Sequence, residues 1–346
     1  MSKQLTMSDI ARMAGVSTAT VSRVLSNHPM VREETRDRIL SLVKEHRYEP
    51  SYVARNLSTR RTHTIGVVVD DISNPFFMEL AKGVELVLQK NGYTMLLTSS
   101  GWDPAKEADL IRTLLRNRVD GVLLTPVHPE SESTEVMRRN GVPFVVMNCH
   151  SDNESVSYVS TDNVEGGRLA AELMLRTNLT RFLCLSGVPH QSTSERAEGF
   201  IHEIRSHGRG NDLAVYDEVR TFDDGYNIVP SLIARNRLDA VSTGIFTSND
   251  FVAMGILEGL IAHRIPVPSQ VSVIGYDDIA FAERYRIPLT TVIQAKHSMG
   301  QLAADELMEL IQDRNHNPAR LLLKPRLIVR DSCTAAHRHE PRSAVP

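Results

Sequence analysis

Cysteine is scarce in these 346 residues, and the three present, Cys149, Cys184 and Cys333, are widely separated and free of C-x-x-C spacing. That excludes a disulfide framework and a cysteine-ligated zinc site, and it leaves idle, buried thiols. Aromatic residues are few at 5%, and the one tryptophan, Trp102, is assigned a structural role ahead of a place in a binding crevice. No apolar run approaches the roughly 20 residues of a membrane helix, and Met1 to Thr20 lacks the charged-then-apolar layout of a secretory signal. No membrane partner and a cytoplasmic location are therefore expected.

Catalytic signatures are missing as well. G-x-x-x-x-G-K-[ST], G-x-G-x-x-G after a strand, H-E-x-x-H and G-x-S-x-G are all absent, so phosphate cradle, dinucleotide site, zincin and nucleophile elbow lack their residues. The neighbouring carboxylates Asp70 and Asp71, Asp223 and Asp224, Asp277 and Asp278 point to different sides of an extended chain, which argues against shared acid–base work. His337-Arg338-His339-Glu340 falls in a Pro- and Arg-containing end that reads as a disordered tail rather than a metal site. No enzymatic activity, metal or cofactor is expected.

What remains is ordinary globular composition, 41% hydrophobic and 23% charged, long enough for two or three domains. The charge is unevenly spread. Residues 1–63 carry 11 Lys and Arg against 6 Asp and Glu, a formal +5 that leaves −8 for the rest of a chain whose total is −3. A basic head on an acidic body points to a polyanionic partner for the head alone.

Within the head, Thr6 can cap a helix over Met7 to Ala14 in which Ile10, Met13 and Ala14 share a face, and Gly15 stops it. Ser17 can cap a second helix, Thr18 to Leu25, with Val21, Val24 and Leu25 inward. A third, near Glu33 to His46, packs Ile39, Leu42 and Val43 underneath. Two short helices joined by a glycine turn form a helix-turn-helix, whose second helix fits the DNA major groove if its outward face is small apart from its readers. Thr18, Ala19 and Arg23 face outward. Arg23 can make paired hydrogen bonds to guanine, and the hydroxyls of Ser17, Thr20 and Ser22 suit phosphate oxygens. Downstream, Tyr48 to Ser58 starts a helix at Pro50 of only about two turns, too short to be stable without a partner.

The run Ser17-Thr18-Ala19-Thr20-Val21-Ser22-Arg23-Val24, followed by Pro50-Ser51 and Ala54-Arg55-Asn56-Leu57, resembles the head and hinge of the lactose-repressor (LacI/GalR) family, and the resemblance runs to about Ser332. It implies that the hinge helices of two subunits pair in the minor groove, with Leu57 in the position of the leucine that family members insert between central base pairs. An apolar wedge there costs a few kcal/mol of unstacking, offset by a bent duplex that makes more contacts. The DNA-facing set is then Thr6, Ser17, Thr18, Ala19, Thr20, Ser22, Arg23, Ala54 and Leu57.

From Thr64 onward, short β-branched runs alternate with amphipathic stretches. Strands are expected at 65–69, 94–98, 121–125 and 142–147, the last closing a first half. A second series follows at 182–185, 214–221, 240–246 and 271–275, with a helix near 194–206. This is βαβ repetition, hence parallel sheets with helices on both faces, in two doubly wound lobes whose ligand crevice lies at the strands' carboxyl ends. At those ends stand Asn74, Phe76, Phe77, Asn148, Arg196 at the head of a helix, Phe222, Asn249 with Asp250, Asp277 with Asp278, and Gln294. Amides and carboxylates that fork onto hydroxyls, beside aromatic faces, form a carbohydrate-binding set. Arg196 also suits a carboxylate or phosphate on the ligand.

The core is similar to periplasmic sugar-binding proteins and to the effector core of the same family, in which these positions match sugar contacts. Asn148 stands where members often carry aspartate, so the hydroxyl pattern read there differs. The expected layout is an all-α helix-turn-helix head (1–49), a hinge helix and linker (50–63), a two-lobed α/β core (64–335) and a tail (336–346). The expected function is a ligand-responsive repressor that binds a pseudo-palindromic operator as a homodimer. Its effector would be a small sugar, sugar acid or sugar phosphate, with a nucleoside less favoured. A sugar-binding carrier without a regulatory role is the alternative, and the helix-turn-helix speaks against it.

Overall fold

The computed structural model describes residues 5–25, 29–46, 48, 61–187, 190–238 and 242–333. Ala54, Leu57, most of the hinge, and the tail lie outside the described residues. The chain divides into two units, Met1–Thr62 and His63–Pro346.

The first unit contains α1 (Met7–Met13), α2 (Thr18–Leu25) and α3 (Glu33–Glu45). Thr6 and Asp9 form a reciprocal capping box at the start of α1. The helix ends in a Schellman turn: Gly15 N–H reaches the Arg12 carbonyl, Val16 N–H reaches that of Ala11, and Gly15 holds the positive φ (+64°) the motif needs. Ser17 Oγ then accepts the Thr20 N–H at 3.2 Å and starts α2. Ile10, Ala14, Val21, Val24, Ile39 and Tyr48 are buried together, with Leu42 and Val43 packed against them. Thus the helices and turn expected over 6–46 are present, but Met13, placed on the inward face of α1 by its spacing, is exposed.

The second unit holds two six-stranded sheets. The first lobe's sheet has the spatial order β11-β5-β4-β3-β1-β2, all parallel. Its strands are β1 (Thr64–Val69), β2 (Thr94–Ser99), β3 (Gly121–Leu124), β4 (Phe144–Met147), β5 (Ser157–Thr161) and β11 (Arg320–Leu323). The second lobe's sheet runs β12-β10-β9-β8-β6-β7, parallel except for antiparallel β12. These are β6 (Arg181–Leu185), β7 (Leu213–Tyr216), β8 (Thr243–Thr247), β9 (Val271–Asp277), β10 (Thr290–Ile293) and β12 (Arg326–Ile328).

Helices α4 (Pro75–Lys90), α5 (Pro104–Arg116), α6 (Glu132–Arg139) and α11 (Lys296–Gln312) belong to the first lobe. Helices α7 (Asn163–Leu175), α8 (Gln191–Ser206), α9 (Phe222–Ala234) and α10 (Asp250–Ala262) belong to the second. The chain crosses between lobes three times, after β5, β10 and β11. In each sheet the strand order reverses, between β1 and β3 and between β6 and β8, which is where open α/β sheets bind ligands.

Several expectations are corrected. The strand at 142–147 does not close the first half, because β5 follows it in the same sheet and β11 is added from far along the chain. The alternation in β5 was illegible because three of its five residues are Ser or Thr, although all five are buried; Ser157 Oγ, for instance, donates to Glu306 at 2.7 Å. The strand expected over 214–221 stops at Tyr216, where the chain turns through Glu218 at φ +67°. Helix α8 begins at Gln191, so Arg196 stands in its second turn rather than at its head.

Candidate functional site

In the head, burial of Val21 and Val24 turns the other side of α2 outward. Ser17, Thr18, Ala19 and Arg23 are exposed, and Thr20 and Ser22 are half-buried. The face is small and polar with one long cationic side chain, a shape that enters a major groove. Thr6 is also exposed, but its hydroxyl donates to Asp9 Oδ2 at 2.7 Å and accepts the Asp9 N–H in the capping box. Its demonstrated work is to start α1.

In the second unit, the carboxyl ends of the two sheets face each other, and side chains meet across the gap. Arg196 lies at the centre of the second lobe's side. The crossing of α7 and α8 places it there: Gly167 lets the Arg196 carbonyl approach its Cα so closely that any Cβ would collide. The guanidinium is buried, donates from Nε to Asn163 Oδ1 at 2.9 Å, and from Nη1 to the Ser248 carbonyl at 2.6 Å and Asp277 Oδ1 at 3.3 Å. Its carbon stands 4.0 Å above the Tyr276 ring, a cation–π contact.

Gln294 completes the array by donating to Asp277 Oδ1 at 2.6 Å and accepting from Thr161 Oγ1 at 2.7 Å. Burial raises the Asp277 carboxyl to about 6 despite Arg196, Gln294 and Lys296, which all favour its charged form. Lys296, just past the second crossing, donates to the carbonyls of Asp277 (3.0 Å) and Asp278 (2.5 Å), two successive residues at positive φ. It also pairs with Glu79 of α4 at 3.4 Å, so it ties the lobes together beside the crevice.

Asn249 caps α10 by accepting the Val252 N–H at 2.8 Å, and Asn74 caps α4 by accepting that of Phe76 at 3.0 Å. Each spends its side-chain oxygen on starting its helix. Asp250 instead accepts from Thr291 Oγ1 and the Ile279 N–H, holding β10 and the end of β9 in place. Phe76 and Phe77 are buried edge to face with centroids 5.1 Å apart. Phe222 is half-buried, 5.9 Å from Phe251. Asn148, at φ +60°, reaches from β4 toward Ser192 of the other lobe at 3.5 Å.

Sequence reasoning missed the other half of this array. His190 is buried and crosses from the second lobe to stand 3.6 Å from Asp70 Oδ2, 3.7 Å from Cys149 Sγ and edge-on to Trp102. Its second nitrogen meets Ser192 Oγ at 2.9 Å. Burial, reinforced by the Arg196 charge, lowers the imidazole to about 4. Asp70 is fully buried and pushed well above the ordinary carboxylate range, first by burial and then by the charge of Glu107. His190 and Ser192 were hidden because α8 starts before its amphipathic pattern does. Asp70 was legible as the residue that ends the β1 run at the strand reversal. Trp102 belongs to the crevice wall, packed against both Phe77 and His190.

Two family models match the chain: bacterial regulatory proteins of the lacI family over residues 6–51, and the periplasmic binding protein-like domain over 171–333. It is 34% identical over 332 residues to the HTH-type transcriptional repressor PurR of Vibrio campbellii, covering 94% of this chain and 98% of the relative. The chain belongs to the lacI family. A second relative, the ribose operon repressor of Escherichia coli K12, is 32% identical and covers 94% of this chain and 99% of its own. Among solved structures, the complex of the transcriptional regulator CelR with cellobiose superposes with a TM-score of 0.69 at 30% identity, covering 95% of this lacI-family chain and 99% of that one. Among the described residues, no helix is long and apolar enough to cross a membrane.

Proposed function

We propose that this lacI-family protein is a cytoplasmic, ligand-responsive transcriptional repressor, and that it binds a pseudo-palindromic operator as a homodimer under the control of a small sugar or sugar derivative in the crevice between the lobes. The observation that carries the reading is the buried array of Arg196, Asp277 and Gln294 on the second lobe's side, together with Asn74, Phe76 and Phe77 where β1 of the first lobe passes into α4, in a chain that also carries a helix-turn-helix. Cross-braced polar groups beside aromatic rings suit a hydroxylated ring. The ribose operon and cellobiose relatives support the same ligand class. Arg196 already has Asp277 as its counter-charge, which favours a neutral hydroxyl over a carboxylate or phosphate at that point.

A single reading head supplies half a site, and two-fold protein symmetry matches a pseudo-palindrome. The hinge around Ala54 and Leu57 is proposed to fold on DNA and to wedge the duplex open. Ligand in the crevice changes the angle between lobes and so the spacing of two hinge segments, coupling effector and operator reciprocally. The test selects operators from random duplexes and measures binding against salt, with and without a panel of monosaccharides. Binding should weaken steeply with salt, vanish on deletion of residues 1–58, and respond to a sugar that also raises the melting temperature. Sequence-independent binding, or a sugar that stabilises the protein without altering its operator affinity, refutes the reading.

A further inference from the structure

Three adjacent strands of the first lobe, β4, β3 and β1, end in a row of buried polar oxygens that the described residues leave poorly satisfied. Among the described residues, Asp70 Oδ1 and Oδ2, Thr125 Oγ1 and Asn148 Oδ1 lack a partner at hydrogen-bond distance, and the Thr125 hydroxyl beside Asp70 is the one group that eases its charge. Neighbouring strands lie about 4.8 Å apart, so the row spans roughly 10 Å, more than one functional group of a ligand can cover. Buried polar atoms are ordinarily paired, and four orphans side by side at the point where the strand order reverses mark the seat of a donor-rich group.

The charges facing the row are as lopsided as its hydrogen bonding. On Asp70's own strand end stands Asp71, and from α5 the buried Glu107 adds a second negative charge while using its oxygens on the Val127 N–H and Ser131. Among the described residues, the only ion-pair partner of Asp70 is His190, at 3.6 Å and too far for a hydrogen bond. Burial and Arg196 both disfavour a proton on that imidazole, so it provides no lasting counter-charge. The other side of the crevice is the reverse: Asp277 has Arg196, Gln294 and Lys296 around it. One wall is thus compensated and the facing wall is not, and a carboxyl left alone in a dry site is held in its neutral form until a positive group arrives to pair with its ionised one.

Resting on the sugar-sensing reading above, we infer that the effector is a hydroxylated ring or polyol carrying a protonated amine, seated with its ammonium at Asp70 and Thr125, one hydroxyl toward Asn148 and its other hydroxyls toward Arg196, Asp277 and Gln294. An ammonium has three donors and one positive charge, which answers both deficits at once.

The test uses the full-length protein and matched pairs: D-glucosamine with D-glucose, D-galactosamine with D-galactose, D-mannosamine with D-mannose, and 1-amino-1-deoxy-D-sorbitol with D-sorbitol. Calorimetry and thermal shift read each affinity. At least one amine should bind on the order of tenfold or more tightly than its hydroxyl partner, as a charge-assisted hydrogen bond exceeds a neutral one. In Asp70→Asn, of equal shape without the charge, that ratio should fall to near one, while the unliganded protein melts no lower than the wild type. Asp70→Ser serves if the amide variant does not fold. Preference for the neutral partners, or an amine preference that survives both substitutions, overturns the inference and leaves the sugar reading standing. Binding of neither class overturns both.

Discussion

The pairing of Arg196 with Asp277 offers the sharpest check on the crevice, because it makes opposite demands of single and double variants. Arg196→Met strands a buried carboxylate that keeps only Gln294 and Lys296, and it orphans the Ser248 carbonyl and Asn163 Oδ1. Breaking one side of a buried pair typically costs about 3–5 kcal/mol. For a unit of this size, that is a fall of roughly 6–15 °C in melting temperature. Asp277→Asn keeps the shape and an acceptor oxygen, so the guanidinium loses charge compensation but few hydrogen bonds, at about 1–3 kcal/mol. The double variant removes both charges together and should cost less than the sum of the singles by about 1–3 kcal/mol. Urea melts at one pH on all four proteins complete the cycle. Additivity to within about 0.5 kcal/mol would show that the two charges do not sense each other and that the array is not the braced site described.

Three further outcomes follow from other parts of the molecule. His190 is held near 4 in the folded protein against about 6.5 unfolded, so its contribution is present above pH 6.5 and is lost as pH falls toward 4. The unfolding free-energy advantage of wild type over His190→Gln, read from urea melts, should shrink across that window by up to about 3 kcal/mol; a flat difference would mean the imidazole is not buried neutral. Gly167→Ala drives a methyl into the Arg196 carbonyl and should cost about 1–3 kcal/mol while weakening effector binding, read by thermal shift; unchanged stability would remove the close helix crossing. Arg23→Ala should relax base preference at one operator position per half-site, by about 1–3 kcal/mol of discrimination. Fluorescence anisotropy on single-base operator variants measures it, and an equal loss on every sequence would make Arg23 a phosphate contact.

Much of the head was legible because its signals are local. Thr6, Gly15 and Ser17 act within three or four residues of themselves, and the caps and the turn appear where those side chains place them. The strand ends leading to Asn74, Asn148, Asn249, Asp277 and Gln294 were also legible, since alternation and turn residues locate where a strand stops. The signal fails where burial and polarity disagree. Ser157, Ser160 and Thr161 give no apolar alternation yet stand in an interior strand, and Asp70, whose neighbour Asp71 is also charged, is fully buried.

Periodicity, capping residues and the uneven charge determined by themselves that this chain has a basic helical head and an acidic α/β body, since each of those properties is written within a turn or a strand. The partnerships came only with the fold. Arg196 meets Asp277 across 81 residues, β11 pairs with a strand some 160 residues earlier, and His190 arrives from one lobe to face Asp70 in the other. Spacing along a chain carries no record of such meetings, because the energy that selects them is burial shared by surfaces that exist only once both sheets are closed.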